Sequence, residues 1–263
     1  MSKIELKFGN QTVGIDAGEL VSYEVGGHEF MHQKGNPGWR NVDTEMFPII
    51  GPTNEADFKV KTEKGIAVQD QHGLLREMEY SLSEQTENTS IFTKKYSANS
   101  EVKNSKYPDK STEELLHWPY DFQFEKRFEL SASGLKITFN ISGEEDMPFM
   151  LGYHPAFMLH SKNATIISED QSIDIPKVMS VGSRALQVPD VNIINLEDEK
   201  SLQITTQGFT GFMLWTEVTN MVCIEPITFY PYAVKQENLP EGFIYLKGSS
   251  QSFTVALNPF SNK

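Results

Sequence analysis

The stretch Leu135-Lys136-Ile137-Thr138-Phe139-Asn140-Ile141 carries an apolar side chain at every second position. Successive side chains of a β-strand point to opposite faces, so this alternation predicts a strand with one buried face. The turn signal Ser133-Gly134 precedes it, and residues 122–130 form another candidate strand before that turn. This part of the chain is therefore expected to be sheet.

The same period of two recurs along the chain. Apolar residues alternate within residues 4–8, 78–82 and 253–257. Further candidate strands cover residues 20–25, 58–62, 89–96, 149–153, 201–206, 212–216, 221–225 and 243–246. So many short strands predict an all-β fold of antiparallel sheets packed face to face, with ~15 or more strands.

Helical periodicity is scarce. The one clear start signal is Ser111-Thr112-Glu113-Glu114, which has the spelling of a capping box ahead of Leu115-Leu116. It predicts one short helix in a connection between strands.

Composition and charge limit the classes of function. The chain has 263 residues, of which 38% are hydrophobic, and no Pro/Gly/Ser-rich linker divides it, so residues 1–263 are expected to form a single domain. Lys and Arg total 23 against 36 Asp and Glu, a net charge of -13. Such a field repels phosphate backbones and anionic lipids, so neither nucleic acid nor a membrane is an expected partner.

Cysteine usage bears on the compartment. Cys223 is the only cysteine, so no internal disulfide can form, and no apolar run approaches the ~18 residues that span a bilayer. The N-terminus lacks the apolar core of a secretion signal, and a cytoplasmic location is expected. For Cys223 itself, buried packing is the expected role.

Three short islands carry candidate chemistry. They are Gln71-His72-Gly73-Leu74-Leu75-Arg76, Gly152-Tyr153-His154-Pro155-Ala156-Phe157 and Cys223-Ile224-Glu225-Pro226-Ile227-Thr228. Each sets a proton-handling side chain beside a Gly or Pro that fixes the backbone. This pattern is expected of an acid and a base held on either side of a small molecule.

Glu225 shares a strand face with Met221 and Cys223, where a carboxylate is costly unless it is used or paired. Pro226 is expected to end strand pairing directly after it. His154 precedes a proline, so its backbone is expected to be extended, and an imidazole can protonate an oxygen near neutrality. The alternatives are a Glu225 that is merely the first exposed residue after a strand, and a His154 that is a satisfied core histidine.

His72 and Arg76 lie on either side of Gly73, which permits a tight turn or a close approach of the backbone to a ligand. Arg76 and Arg40 can donate charged hydrogen bonds to sugar hydroxyls or, together, to a phosphate. Surface ion pairs are the alternative for both arginines.

Together with Phe47-Pro48-Ile49-Ile50-Gly51, the islands resemble motifs of the aldose 1-epimerase (galactose mutarotase) family, particularly its smaller bacterial branch, in the family's order. The resemblance implies a single-domain antiparallel β supersandwich with an open cleft, few short helices, no metal and no organic cofactor. It implies interconversion of the α and β anomers of an aldohexose. By this resemblance, Glu225 is expected to be the catalytic base, His154 the general acid and His72 the first cleft histidine, while Arg76 and Arg40 are expected to hold the sugar.

One family feature has no clear counterpart. Better-characterised mutarotases have a further Asp between the second histidine and the catalytic Glu, and Asp170, Asp174 and Asp190 lie in that interval without a motif. The expected partner is a small sugar, possibly phosphorylated, bound by a monomer or dimer. Aromatic residues able to stack on a pyranose are Trp39, Trp118, Trp215, Phe157 and Phe229.

Three alternatives stay open. A hexose-6-phosphate 1-epimerase would use the paired arginines, and a sugar-binding or sensor protein would keep the cleft without turnover. A metal enzyme would use Glu225 and some of the six histidines (His28, His32, His72, His117, His154 and His160), although no His-x-His or Glu-x-x-His pair accompanies His72 or His154.

Overall fold

A computed structural model describes residues 3–169 and 171–260, and in these residues nearly all regular structure is antiparallel strand. The strands are β1 (Ile4–Phe8), β2 (Gln11–Asp16), β3 (Glu19–Val25), β4 (His28–Glu29), β5 (Glu45–Met46), β6 (Lys59–Thr62), β7 (Gly65–Val68), β8 (Ser81–Gln85), β9 (Thr89–Tyr96), β10 (Val102–Lys103), β11 (Leu115–Leu116), β12 (Phe122–Ser131), β13 (Gly134–Gly143), β14 (Pro148–Phe149), β15 (Gly152–Tyr153), β16 (Ala156–Met158), β17 (Thr165–Ser168), β18 (Gln171–Asp174), β19 (Leu186–Pro189), β20 (Ile193–Glu197), β21 (Ser201–Gln207), β22 (Gly211–Trp215), β23 (Met221–Ile227), β24 (Ile244–Tyr245) and β25 (Ser250–Phe260). The α-helix is α1 (Ile175–Val181), and short 3-10 turns cover Asn54–Ala56, Leu74–Glu77, Gly182–Arg184, Pro231–Ala233 and Gln236–Gly242.

The opening stretch lies at the centre of a large sheet. Within the described residues this sheet has nine strands, in the order β18-β17-β20-β21-β25-β13-β12-β9-β8. The hairpin β12–β13 runs from the pair Phe122↔Gly143 to the pair Ser131↔Gly134. Burial alternates along β12, as the period-two pattern predicts.

A second sheet faces the first and carries the site. Its order is β19-β22-β23-β15-β5, and β16 also pairs with β23. Rings of the two layers meet, with Phe139 and Tyr153 5.1 Å apart between centroids. The antiparallel β supersandwich is thereby confirmed. Most buried apolar side chains form one continuous cluster, which supports the proposal that residues 1–263 make a single domain.

Smaller pairings complete the sandwich. They are the sheet β1-β2-β3-β4 and the two-stranded pairs β6–β7, β10–β11 and β14–β24.

The predicted helix at residues 111–116 is wrong. Leu115–Leu116 is strand β11, paired with β10, and the Ser111 Oγ accepts hydrogen bonds from the Asn104 side chain and the Glu113 N–H, which form a local turn. The α-helix lies instead at Ile175–Val181, where Asp174 Oδ1 accepts a hydrogen bond from the Lys177 N–H at 2.8 Å. None of the helices in residues 3–169 and 171–260 has the length and apolar character that crossing a bilayer requires.

Candidate active site

His154 and Glu225 are brought together by strand register. His154 lies between β15 and β16, and both of these short strands pair with β23, through Gly152↔Ile227 and Ala156↔Cys223. Counting inward from both pairs sets His154 opposite Glu225, where cross-strand side chains are neighbours. The His154 Nε2 lies 3.4 Å from the Glu225 Oε1. The expectation of an acid and a base on either side of a ligand is therefore wrong, because the two groups stand side by side.

Pro226 does not end strand pairing, which corrects the second expectation for this island. It pairs with Phe212 of β22, and β23 continues to Ile227. Proline lacks an N–H but keeps an extended φ and its carbonyl, so the register continues past it. Glu225 is consequently held within a central strand and is 2% exposed.

The two side chains form part of the wall of a cleft with a volume of about 190 Å³. The other lining residues are Trp39, Ile50, Gly51, Pro52, Gln71, His72, Ser183, Ala185, Met213, Trp215, Glu217, Pro231 and Tyr232. The cleft thus draws on all three islands.

Trp39 covers the His154 ring. Their centroids are 4.2 Å apart and their planes differ by 23°, a stacked arrangement. The Trp39 backbone is fixed because its carbonyl accepts a hydrogen bond from His32 Nε2 at 2.9 Å. This stack keeps water from one face of the imidazole.

His72 is fixed by its second nitrogen. Its Nδ1 lies 2.9 Å from the Ile50 carbonyl oxygen, which can only accept, so Nδ1 carries the proton and Nε2 is left as an acceptor. The backbone φ of His72 is 76°, in the left-handed region that non-glycine residues seldom adopt. The following Gly73 approaches the backbone of Phe47 so closely that an added Cβ would lie 2.2 Å from the Phe47 oxygen.

Burial controls the protonation of the pair. Loss of solvation lowers the pKa of His154 to about 3, and the charge of Arg76 adds to this effect. Loss of solvation also raises the pKa of Glu225 well above its ordinary value. For His72, burial and then the neighbouring His154 and Arg76 lower the pKa well below its ordinary value. Both shifts oppose charge, so burial favours a neutral His154 beside a protonated Glu225.

The two arginines lie outside the cleft wall. Arg76 lines a neighbouring cavity of about 560 Å³, where its Nε lies 3.6 Å from the Glu77 Oε1. Its charge nevertheless acts on His72 and His154. Arg40 is exposed and is not among the cleft-lining residues, whereas the preceding Trp39 stacks on His154.

Only some of the aromatic and acidic candidates line the cleft. Trp39 and Trp215 line the cleft, whereas Trp118 and Phe157 are fully buried in the core. Asp174 caps α1, Asp190 is not among the cleft-lining residues, and Asp170 lies outside the described residues. The acidic side chain that does line the cleft in this interval is Glu217, which sequence reasoning missed because no motif marks it.

Solved structures share this fold. A galactose mutarotase-like protein from Lactobacillus casei superposes with a TM-score of 0.77 at 16% identity, covering 98% of this chain and 100% of the other. A galactose mutarotase related enzyme from Lactobacillus acidophilus gives 0.76 at 17% identity, covering 99% and 98%. A GalM/aldose epimerase homologue from C. elegans gives 0.72 at 10% identity, covering 100% and 99%.

Sequence comparison adds relatives and a family. The chromosomal and plasmid LacX proteins of Lactococcus lactis are 26% identical to this chain over 209 and 208 residues, 74% of this chain, which spans 63% of the length of these curated relatives. A family model described as aldose 1-epimerase matches residues 54–208, more than half of the chain. That match includes His72, Arg76 and His154 and ends before Glu225. The chain belongs to the aldose 1-epimerase family.

Proposed function

We propose that this protein interconverts the α and β anomers of an unphosphorylated aldohexose. The observation that carries the proposal is the 3.4 Å contact between His154 and Glu225 in the wall of the cleft. The anomeric hydroxyl and the ring oxygen of a hexose are bonded to the same carbon, so an acid and a base that lie close together can act on both. A side-by-side pair suits this reaction.

The pair works as a carrier of one proton. In one direction the Glu225 carboxylate removes the proton of the anomeric hydroxyl while the His154 imidazolium donates one to the ring oxygen, so the ring opens to the aldehyde. Burial favours the other placement of that proton, with Glu225 protonated and His154 neutral. Each placement supplies one acid and one base, and closing the ring after rotation about the first carbon–carbon bond reverses their roles.

The cleft suits one neutral sugar ring. Its 190 Å³ lies below the ~300–1,000 Å³ typical of sites for drug-sized ligands. Its described lining includes Glu217 and Glu225 but neither Lys nor Arg. We assign to Glu217 the acceptance of hydrogen bonds from sugar hydroxyls, the role of the additional acidic residue of the family. His72, with its free Nε2, would hold another hydroxyl, while Arg76 would act from the adjacent cavity and Arg40 from the surface.

Anomer exchange with glucose, galactose and glucose 6-phosphate tests the substrate class. Preference for the free sugars is expected because the described cleft-lining residues include neither Lys nor Arg to pair with a phosphate. A strong preference for glucose 6-phosphate would overturn this choice in favour of hexose-6-phosphate 1-epimerase activity. A cytoplasmic location stays a prediction from the single cysteine.

Glu225→Gln separates catalysis from simple sugar binding. Positioned acids and bases each contribute ~10²–10⁴-fold, so the rate of anomer exchange should fall by at least ~10²-fold in this variant. Isothermal titration calorimetry should show that the variant still binds sugar. Glu217→Gln is the matched control, because it removes a carboxylate of the same cleft and should mainly raise KM. A wild-type protein that binds sugar without any anomer exchange would be a sensor or binding protein instead.

A further inference from the structure

Cys223 lies beside the His154–Glu225 pair. His154, Cys223 and Glu225 each have one atom able to bind a metal ion, and these three atoms lie within 4.8 Å of one another. All three residues are buried. Cys223 and Glu225 are alternate residues of β23, so both side chains leave the same face of that strand. His154 reaches them from the paired backbone, whose register with Cys223 is fixed through Ala156.

We infer that these three side chains form a binding site for a thiophilic divalent cation such as Zn²⁺ or Cd²⁺, which would occupy the cleft in competition with sugar.

The donor set selects the class of metal. A thiolate, an imidazole and one carboxylate suit Zn²⁺ and its soft relatives, whereas Mg²⁺ and Ca²⁺ prefer sites built from oxygen alone. Three protein ligands that leave a fourth position open are the usual arrangement of an accessible zinc site. His154 and Glu225 line the cleft and would give an ion access to the site, whereas Cys223 is fully buried and is not among the lining residues.

The distances need little adjustment. Two nitrogen or oxygen ligands of one tetrahedral Zn²⁺ ion lie roughly 3.3 Å apart, and the His154 Nε2 and Glu225 Oε1 are already 3.4 Å apart. The Cys223 Sγ lies within 4.8 Å of a ligand atom of each of the other two residues. A change of the Cys223 χ1 angle is the movement by which the sulfur would complete the coordination.

The surroundings of Cys223 are apolar. Cys223 packs in a small apolar cluster with Ala156 and Met221, against which Trp39 and Trp215 lie. An apolar shell around a metal limits solvent access and strengthens its bonds to charged ligands. Binding releases the thiol proton of Cys223 and the proton shared by His154 and Glu225, so that two anionic ligands balance the two positive charges of the ion.

Cd²⁺ titration of the purified, chelator-treated protein tests this site directly. Because Cys223 is the only cysteine, a thiolate-to-metal charge-transfer absorption can arise from this residue alone. The expected result is one saturable equivalent, with Zn²⁺ competing for the same site. Cys223→Ser should abolish the absorption and weaken binding by more than about 100-fold, because loss of even an outer-shell partner weakens metal sites about 10–100-fold.

Control variants make the test specific. His154→Asn and Glu225→Gln should each weaken binding strongly, whereas His160→Asn, which removes an exposed histidine in contact with the His28 ring, should leave it unchanged. Cys223→Ala, with folding checked by circular dichroism, replaces the serine variant if that variant fails to fold. Absence of the charge-transfer band after prolonged equilibration, or a band that persists unchanged in both His154→Asn and Glu225→Gln, would overturn the inference.

The consequence for catalysis rests on the proposed function, because bound metal would occupy the two groups that carry the proton. Metal binding without any anomer exchange would uphold this site and refute the proposed reaction. Anomer exchange in a protein that binds no metal would uphold the proposed reaction and refute this metal site.

Discussion

Thr44 and His154 exchange a pair of backbone hydrogen bonds, with the His154 N–H 2.8 Å from the Thr44 oxygen and the Thr44 N–H 3.2 Å from the His154 oxygen. The residues on either side of Thr44 are Asp43 and Glu45, and both of their carboxylates lie 2.6 Å from the Lys126 Nζ. Lys126 is fully buried and extends from β12 of the large sheet. A single ammonium group thus fixes the segment that holds the His154 backbone.

Removing that ammonium group should destabilise the protein. Lys126→Met keeps much of the volume but removes the ion-pair partner of two buried carboxylates, a change that typically costs about 3–5 kcal/mol. Urea unfolding measures the loss. Lys136→Met, on the adjacent strand β13, is the control, because this lysine is 53% exposed and its ion pair should be worth less than about 1 kcal/mol. Equal effects of the two variants would contradict a special role for Lys126.

The pH dependence of kcat/KM should reflect a pair that holds one proton. A second proton binds only when the pH falls to the lowered pKa of His154, about 3, so activity should stay level between about pH 7 and 5. An ordinary histidine, with a pKa near ~6.5, would lose most of its activity over that interval. On the alkaline side, activity should fall as the pair loses its proton, at the raised pKa of Glu225. Anomer exchange corrected for the buffer rate checks both limbs, and an acid limb near pH 6.5 would contradict the scheme.

Trp39, which stacks on His154, should influence the pH at which activity is lost on the acid side of the profile. Trp39→Ala admits water to the imidazole, and since burial is the main cause of the lowered pKa, the pKa of His154 should rise toward its ordinary value. The acid limb of the pH profile should move upward with it. Trp39→Phe keeps an aromatic ring in place and should change the limb much less. NMR titration of the His154 ring proton measures the same shift without reference to activity.

Gly73 should not tolerate a side chain. Its φ is 69°, and a Cβ there would lie 2.2 Å from the Phe47 oxygen, so Gly73→Ala combines backbone strain with a clash. We expect the free energy of unfolding to fall by more than the about 1–3 kcal/mol that backbone strain alone usually costs. Gly248→Ala is a matched control, since Gly248 has the same φ and no heavy atom within 4 Å of the added Cβ. Thermal unfolding of both variants separates the clash from the strain, and similar Tm values would show that the contact with Phe47 is unimportant.

Sequence periodicity was sufficient for the main architecture. Alternation in the β12–β13 hairpin predicted two half-buried strands, and most other candidate strands lie within a few residues of observed ones. The capping-box spelling at Ser111 predicted a helix that is not there. The Ser111 side chain accepts a hydrogen bond within a turn, and the two apolar residues that follow form β11, which pairs with β10. The helix at Ile175–Val181 was signalled by Asp174 and Pro176, but it is too short to show a helical period.

The composition of the site was easier to predict than its geometry. Glycine and proline neighbours singled out His72, His154 and Glu225, and all three line one cleft. The side-by-side contact depends on a register between distant segments, which no local pattern encodes. Lys126 was missed although it stands at an inward position between Phe124 and Phe128, where an isolated charge signals a buried partner.

The position of β25 has a consequence for how this protein is made. Residues 250–260 form a strand that lies between β13 and β21 in the middle of the large sheet. A nascent chain whose residues 250–260 are still inside the ribosome therefore has two unsatisfied strand edges where that strand belongs. Such edges invite pairing with other chains. Synthesis of this protein should accordingly depend on chaperones that shield the unfinished sheet until its last central strand emerges.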